Sequence, residues 1–131
     1  MCLLLDSSNI DPRKPIKEDN IRWKVLNNGF ARHLESPYYN CVWKFNDWKT
    51  AKRNYFTQSK DIGFHVFLSK KDAIHYSNAG DVIVKIEVKD HNYSGITIAS
   101  GKNLKTETWK KARVIEVYTS SGRHNITKRF K

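Results

Sequence analysis

The nine residues Asp81-Val-Ile-Val-Lys-Ile-Glu-Val-Lys89 constrain the fold more than any other stretch of this chain. Val82, Val84, Ile86 and Val88 recur with a period of two, and three of the four residues at 83, 85, 87 and 89 are charged. That alternation is the pattern of a strand with one buried face, because successive side chains on a strand point to opposite sides. A helix would scatter the same residues around its circumference. A chain holding such a strand must also supply strands to pair with it.

The remainder of the sequence provides them. Ile21 to Leu26 (IRWKVL) places apolar residues at 21, 23 and 25, and Asn27-Asn28-Gly29 follows as a turn. Tyr38 to Phe45 (YYNCVWKF) is rich in β-formers, with Tyr39, Cys41, Trp43 and Phe45 on one face. Gly63 to Leu68 (GFHVFL), Gly95 to Ala99 (GITIA) and Arg113 to Thr119 (RVIEVYT) are further strands. Ser69 with Asp72 three residues on is a variant of the capping box, so a helix of about two turns starts there and closes at Asn78-Ala79-Gly80. Trp48 to Tyr55 reads as a short helix or an irregular basic loop. Residues 90–95 and 100–111 read as loops, the second exposed.

This order predicts one α+β domain, a mostly antiparallel sheet of five to six strands with one or two short helices. Short connections after 81–89 and 95–99 favour a meander there. Residues 1–20, with Pro12 and Pro15, form an extended lead-in, 21–121 the α+β core, and 122–131 a basic C-terminal tail. A hydrophobic fraction of 39% over 131 residues fills one modest core.

Charge points to the partner. The net charge is +11, and three segments concentrate it. Lys44 to Lys60 carries five basic residues against Asp47, Lys102 to Arg113 carries five against Glu107, and Gly122 to Lys131 carries four against no acid. Each segment also contains aromatic rings. Such surfaces attract polyanions, with cations neutralising phosphates and each ring stacking on a base for about 1–3 kcal/mol. The expected contacts are Lys44, Trp48, Lys49, Lys52, Arg53 and Tyr55 from the first segment. Lys102, Lys105, Trp109, Lys110, Lys111 and Arg113 come from the second, and Arg123, Lys128 and Arg129 from the third. Trp43 reads as core and Trp109 as exposed. The partner is then a nucleic acid, a nucleotide or another polyanion, bound without catalysis. The alternative is an inhibitor that docks on an acidic surface of a host defence or replication protein.

His65, His75, Tyr76 and Glu116 are candidates for a separate ligand pocket, since an imidazole titrates near neutrality and serves as a general base. The plainer reading of His65 is a hydrogen-bonded sheet residue beside an aromatic cluster. No GxSxG elbow, P-loop or GxGxxG is present, so no catalytic residue is assigned. His124-Asn-Ile-Thr127 misses the His-x-Thr of two-histidine phosphoesterases by one residue. Glu87, Glu107 and Glu116 are too isolated to hold Mg²⁺. The five histidines and two cysteines form no CxxC or HxxxH group, so neither metal nor cofactor is expected. Cys2 and Cys41 read as thiols in a reducing compartment, Cys2 anchoring the N-terminal segment rather than acting as a nucleophile after loss of Met1. No apolar stretch approaches the roughly 20 residues of a membrane span, and Met1 to Leu5 falls short of a signal core of about 7–15. The expected location is the cytoplasm, that of the host if the protein is phage-encoded.

Met1-Cys2-Leu3, the Trp23-Lys24-Val25-Leu26 strand after Pro15, Ser36-Pro37-Tyr38, Gly63-Phe64-His65 and Val82-Ile83-Val84-Lys85 resemble small uncharacterised proteins of phages and gut bacteria. The likeness spans about residues 1–89 and implies a phage-linked accessory protein with no particular activity. Arg22, the Gly63 to Tyr76 segment and Glu116 are also similar to elements of ADP-ribosyltransferase-like folds. That second resemblance implies a glutamate stabilising an oxocarbenium-like transition state and an aromatic ring stacked on nicotinamide. The spacing departs from any signature of that family, and the diagnostic sequence before the glutamate is absent.

Overall fold

The alternation at 81–89 belongs to a longer element. In the computed structural model, which describes residues 3–4, 10–28, 34–35, 42–51 and 63–131, a single strand runs from Asp81 to Ala99. Its partner runs from Lys102 to Thr119, joined through Ser100 and Gly101 with φ of 50° and 76°. Two consecutive positive φ values make the tight turn that matches the twist of a hairpin, and Gly101 adopts its share without steric cost. The readings of 90–95 and 100–111 as loops are therefore corrected: both are strand. They escape a hydropathy pattern because most of their buried residues are polar, among them Ser94, Thr106, Glu107 and Thr108.

In chain order the described elements are β1 (Ile21–Asn28), β2 (Leu34–Glu35), β3 (Val42–Trp43), β4 (Lys49–Thr50) and β5 (Phe64–Phe67). Helix α1 (Lys70–Tyr76), β6 (Asp81–Ala99), β7 (Lys102–Thr119) and a 3-10 turn at Thr127–Arg129 complete them. Helix α1 starts where the capping box places it, with the Asp72 amide donating to the Ser69 hydroxyl. Val42–Trp43 of the 38–45 reading are strand, Lys49–Thr50 are strand where 48–55 reads as a helix or loop, and residues 38–41 and 52–55 lie outside the described ones. Every strand pairing is antiparallel, and the fold is α+β and mostly sheet.

β1 pairs with β6, β6 with β7, β7 with β5, and β5 returns to β1 through Trp23 and Phe67. The sheet therefore curls round on itself. Inside lie Leu26, Val66, Val82, Val84, Ile86, Val88, Trp109, Ala112, Val114 and Val117, each burial worth about 1.5–3 kcal/mol for a large side chain. On the outer face α1 covers a second cluster of Val25, Phe67, Ala73, Ile83 and Leu104. Strand β1 is thus covered on both sides, and Arg22 and Lys24, in alternation with Trp23 and Val25, are buried as deeply as the apolar residues. The apolar set at 21, 23 and 25 marks only the helix-covered face.

Candidate nucleic-acid interface

The outer edge of β7 is lined by segments from distant parts of the chain. β5 pairs with residues 106–109, the Ala51 amide donates to the Lys110 carbonyl, and β4 pairs with 111–112. The Asn46 amide donates to the Val114 carbonyl, and the Ile126 amide to the Val117 carbonyl. Between Ala112 and Val117, a rise of about 3.3 Å per residue gives roughly 17 Å of strand. Along that length all three basic segments meet.

Trp48 heads this face and is 37% exposed. Its ring lies 4.1 Å from the Lys89 ammonium and 4.9 Å from the Arg113 guanidinium, both measured to the ring centroid. Register explains the grouping: Glu87 is opposite Arg113 and Lys89 opposite Lys111, all pointing away from the interior. Arg113 grips Glu87 at 3.0 and 3.1 Å, and Lys111 lies 3.4 Å from Asp90. Lys49, on β4, donates to the Val42 carbonyl and lies 5.8 Å from the Trp43 ring. Lys89 and Lys110 have no carboxylate partner among the described residues.

Further along β7, a bulge sets Ile115 and Glu116 against the same stretch of β6, because Lys85 faces Glu116 while Ile86 faces Val114. Bulges re-aim side chains. Here Ile115 and Glu116 form one wall of an open groove of about 610 Å³ whose other wall is Asn125 to Arg129 with Lys131. The Tyr118 hydroxyl donates to the Glu116 carboxylate, and this bond is the main reason that the phenol is pushed above its usual range. Residues 125–127 are fastened to β7: Ile126 packs into the interior cluster, and the Val117 amide donates to the Thr127 hydroxyl at 3.0 Å. The groove presents the exposed cations Lys128, Arg129 and Lys131 on this anchored stretch.

The structure thus gathers Trp48, Lys49, Lys110, Lys111, Arg113, Lys128 and Arg129 along one edge. Lys44 is exposed in the turn before Trp48, and Lys102 and Lys105 are exposed near the far end of the β6–β7 hairpin. Arg123 is exposed after Gly122, which packs on Ile74 of α1. Lys52, Arg53 and Tyr55 lie outside the described residues. Trp109 overturns its expectation, being 4% exposed and part of the interior cluster. Nor do His65, His75, Tyr76 and Glu116 form one pocket. His65 is buried on β5, His75 is exposed with its Nε2 3.1 Å from the Ala99 carbonyl, and Tyr76 packs on Phe67. Glu116 lies on β7 eight residues beyond Thr108, the partner of His65 on β5, which is on the order of 25 Å along the strand.

The sequence reading missed a buried polar cluster at one end of the interior. Arg22 and Glu107 are both 0% exposed and form an ion pair through the Arg22 Nε. Glu107 also accepts from the Ile16 amide at 2.7 Å and from Trp109 Nε1 at 3.1 Å, and lies 3.3 Å from the Ser94 hydroxyl oxygen. Arg22 lies over the Trp109 ring at 5.3 Å and donates to the carbonyls of Lys17, Asp19 and Ile21. His91 Nε2 is 2.7 Å from the Ser94 hydroxyl, which donates to the Lys14 carbonyl. Burial pushes the His91 imidazole below its usual value, opposed by Glu107 and assisted by Arg22. Residues 12–17 close over this cluster through their backbone, so it is a sealed structural element with Ser94 fully buried. The only signals in the sequence are a lone arginine in an apolar strand and the lone acid of a basic segment.

Among the described residues no helix is long and apolar enough to cross a membrane, and no group of histidine, cysteine, aspartate and glutamate is arranged to hold a metal ion. Comparison with protein-family models, curated proteins and solved structures finds no match.

Proposed function

We propose that this protein binds a nucleic acid without catalysis, as a phage- or bacterial-type accessory protein of the cytoplasm. The observation that carries the reading is the exposed Trp48, held beside Lys89 and Arg113 at the head of a basic edge that continues to Lys128, Arg129 and Lys131. Cations on such an edge neutralise phosphates, and that term is independent of base sequence. Four of the cations, Lys89, Lys110, Lys128 and Arg129, are exposed and have no carboxylate partner among the described residues, so they reach phosphates without first breaking an ion pair.

Fluorescence anisotropy of labelled DNA and RNA at about 50 and 200 mM salt tests the proposal. With six to ten phosphates contacted, affinity falls on the order of 10³–10⁵ between the two salts. Absence of binding at the lower salt, or binding that salt leaves unchanged, refutes it.

A further inference from the structure

We infer that the ligand is a single strand, with one unstacked base on Trp48 in place of the Lys89 ammonium and the neighbouring phosphates leading along β7 into the groove at 125–131. This inference rests on the nucleic-acid reading above. Among the four tryptophans Trp48 alone is a large exposed ring, since Trp23 is half-buried and Trp43 and Trp109 are interior. A ring on a protein surface stacks on the face of a base. Bases in a duplex already spend their faces on one another and offer edges in the grooves. A single strand offers faces.

The present occupant of the ring fits a displaceable role. Lys89 is exposed, and its ammonium sits over the indole at 4.1 Å. An exposed cation–π contact is weaker than base stacking, so a base displaces it, and the ammonium swings to the adjoining phosphate. Arg113 stays in place, held by both oxygens of Glu87. From Arg113 the strand reaches Ile115 and Glu116 on the groove wall within about 10 Å, so a short run of nucleotides spans both features. Glu116, the one carboxylate on that wall, is engaged by the Tyr118 hydroxyl. Among the described residues the one α-helix, α1, has seven residues and packs one face on the sheet, too little to enter a duplex groove. Among the described residues the feature that fits a duplex is the β6–β7 ribbon, away from Trp48, with Lys102 and Lys105 near its tip.

Binding of a labelled single-stranded oligonucleotide and of its duplex, measured against salt, decides the matter. The single strand binds tighter than the duplex. Trp48→Ala weakens it about 5- to 150-fold with the salt slope unchanged, while Trp48→Phe keeps most of the affinity. The triple variant Lys128→Ala, Arg129→Ala, Lys131→Ala flattens the slope of log K against log salt by about 2, at roughly 0.7 per phosphate. Urea midpoints of the variants confirm folding. Equal or tighter duplex binding that is lost in Lys102→Ala, Lys105→Ala, or no effect of Trp48→Ala, overturns the inference and leaves the nucleic-acid reading standing. No binding of either form at low salt removes both.

Discussion

Replacing Glu107 by Gln tests what closes the end of the curled sheet. The substitution keeps volume but removes the charge opposite Arg22, where both side chains are fully buried. It also turns one acceptor oxygen into a donor amide, although three donors converge on that carboxylate: Arg22 Nε, the Ile16 amide and Trp109 Nε1. At least one of them then faces another donor. Arg22 keeps Asp19 and three carbonyls, but the Asp19 side chain is 61% exposed and its pull is screened. Breaking one side of a buried pair costs about 3–5 kcal/mol, a large part of the roughly 5–15 kcal/mol that holds a domain folded. With a urea m-value of about 2 kcal/mol/M, the midpoint drops by roughly 2 M. Arg22→Met loses a similar amount. The double variant loses less than the sum of the two, because no lone charge is left inside. A loss under about 1 kcal/mol for Glu107→Gln, or an additive double variant, refutes the reasoning.

Two further perturbations follow from the same region. The folded-state value of His91 is depressed by burial, so the neutral ring favours the folded state above the unfolded value of 6.5. That stability is lost as pH falls below 6.5 towards the folded value, at no more than about 1.4 kcal/mol per pH unit. The difference in urea midpoint between wild type and His91→Gln should therefore shrink from pH 7.5 to 5, and a constant difference contradicts the assignment. At Gly95 an added Cβ would overlap the Leu4 carbonyl, forcing Leu3–Leu4 off the edge of β6. Gly95→Ala should cost roughly 3 kcal/mol, from two backbone hydrogen bonds and the buried Leu3, and speed hydrogen exchange at the Ile96 amide. Unchanged exchange there shows that the segment does not seal that edge.

Hydropathy reveals a strand when its buried face is apolar, and the legible elements meet that condition. Val82 to Val88, Phe64 to Phe67 and the Ser69-capped helix appear where the sequence places them. The second half of β6 and the first half of β7 bury polar groups that satisfy one another. Thr97 meets Thr106 at 3.0 Å, and Ser94 meets Glu107. Outside Gly95 to Ala99, which reads as a strand, an alternation of apolar residues is absent there, so 90–95 and 100–111 read as loops and Trp109 reads as exposed. The basic segments are visible by charge alone. Their meeting along one edge depends on Asn46, Ala51 and Ile126 all bonding to β7, a set of pairings with no signature in local sequence.

The outer edge of β7 draws partners from residues 46–51 and 64–67, remote from its hairpin, and from 125–127, which fold straight back on it. Loops must be closed before these contacts reward the chain, which places such a topology among the slower folders, in the range of milliseconds to seconds. On a ribosome, the end of β7 at Val117 and Thr119 has a bare edge until residues 124–127 have emerged. During that interval its row of unpaired amides and carbonyls is a template for a neighbouring nascent chain. Synthesis yield should thus depend on how quickly those residues follow β7 out of the exit tunnel.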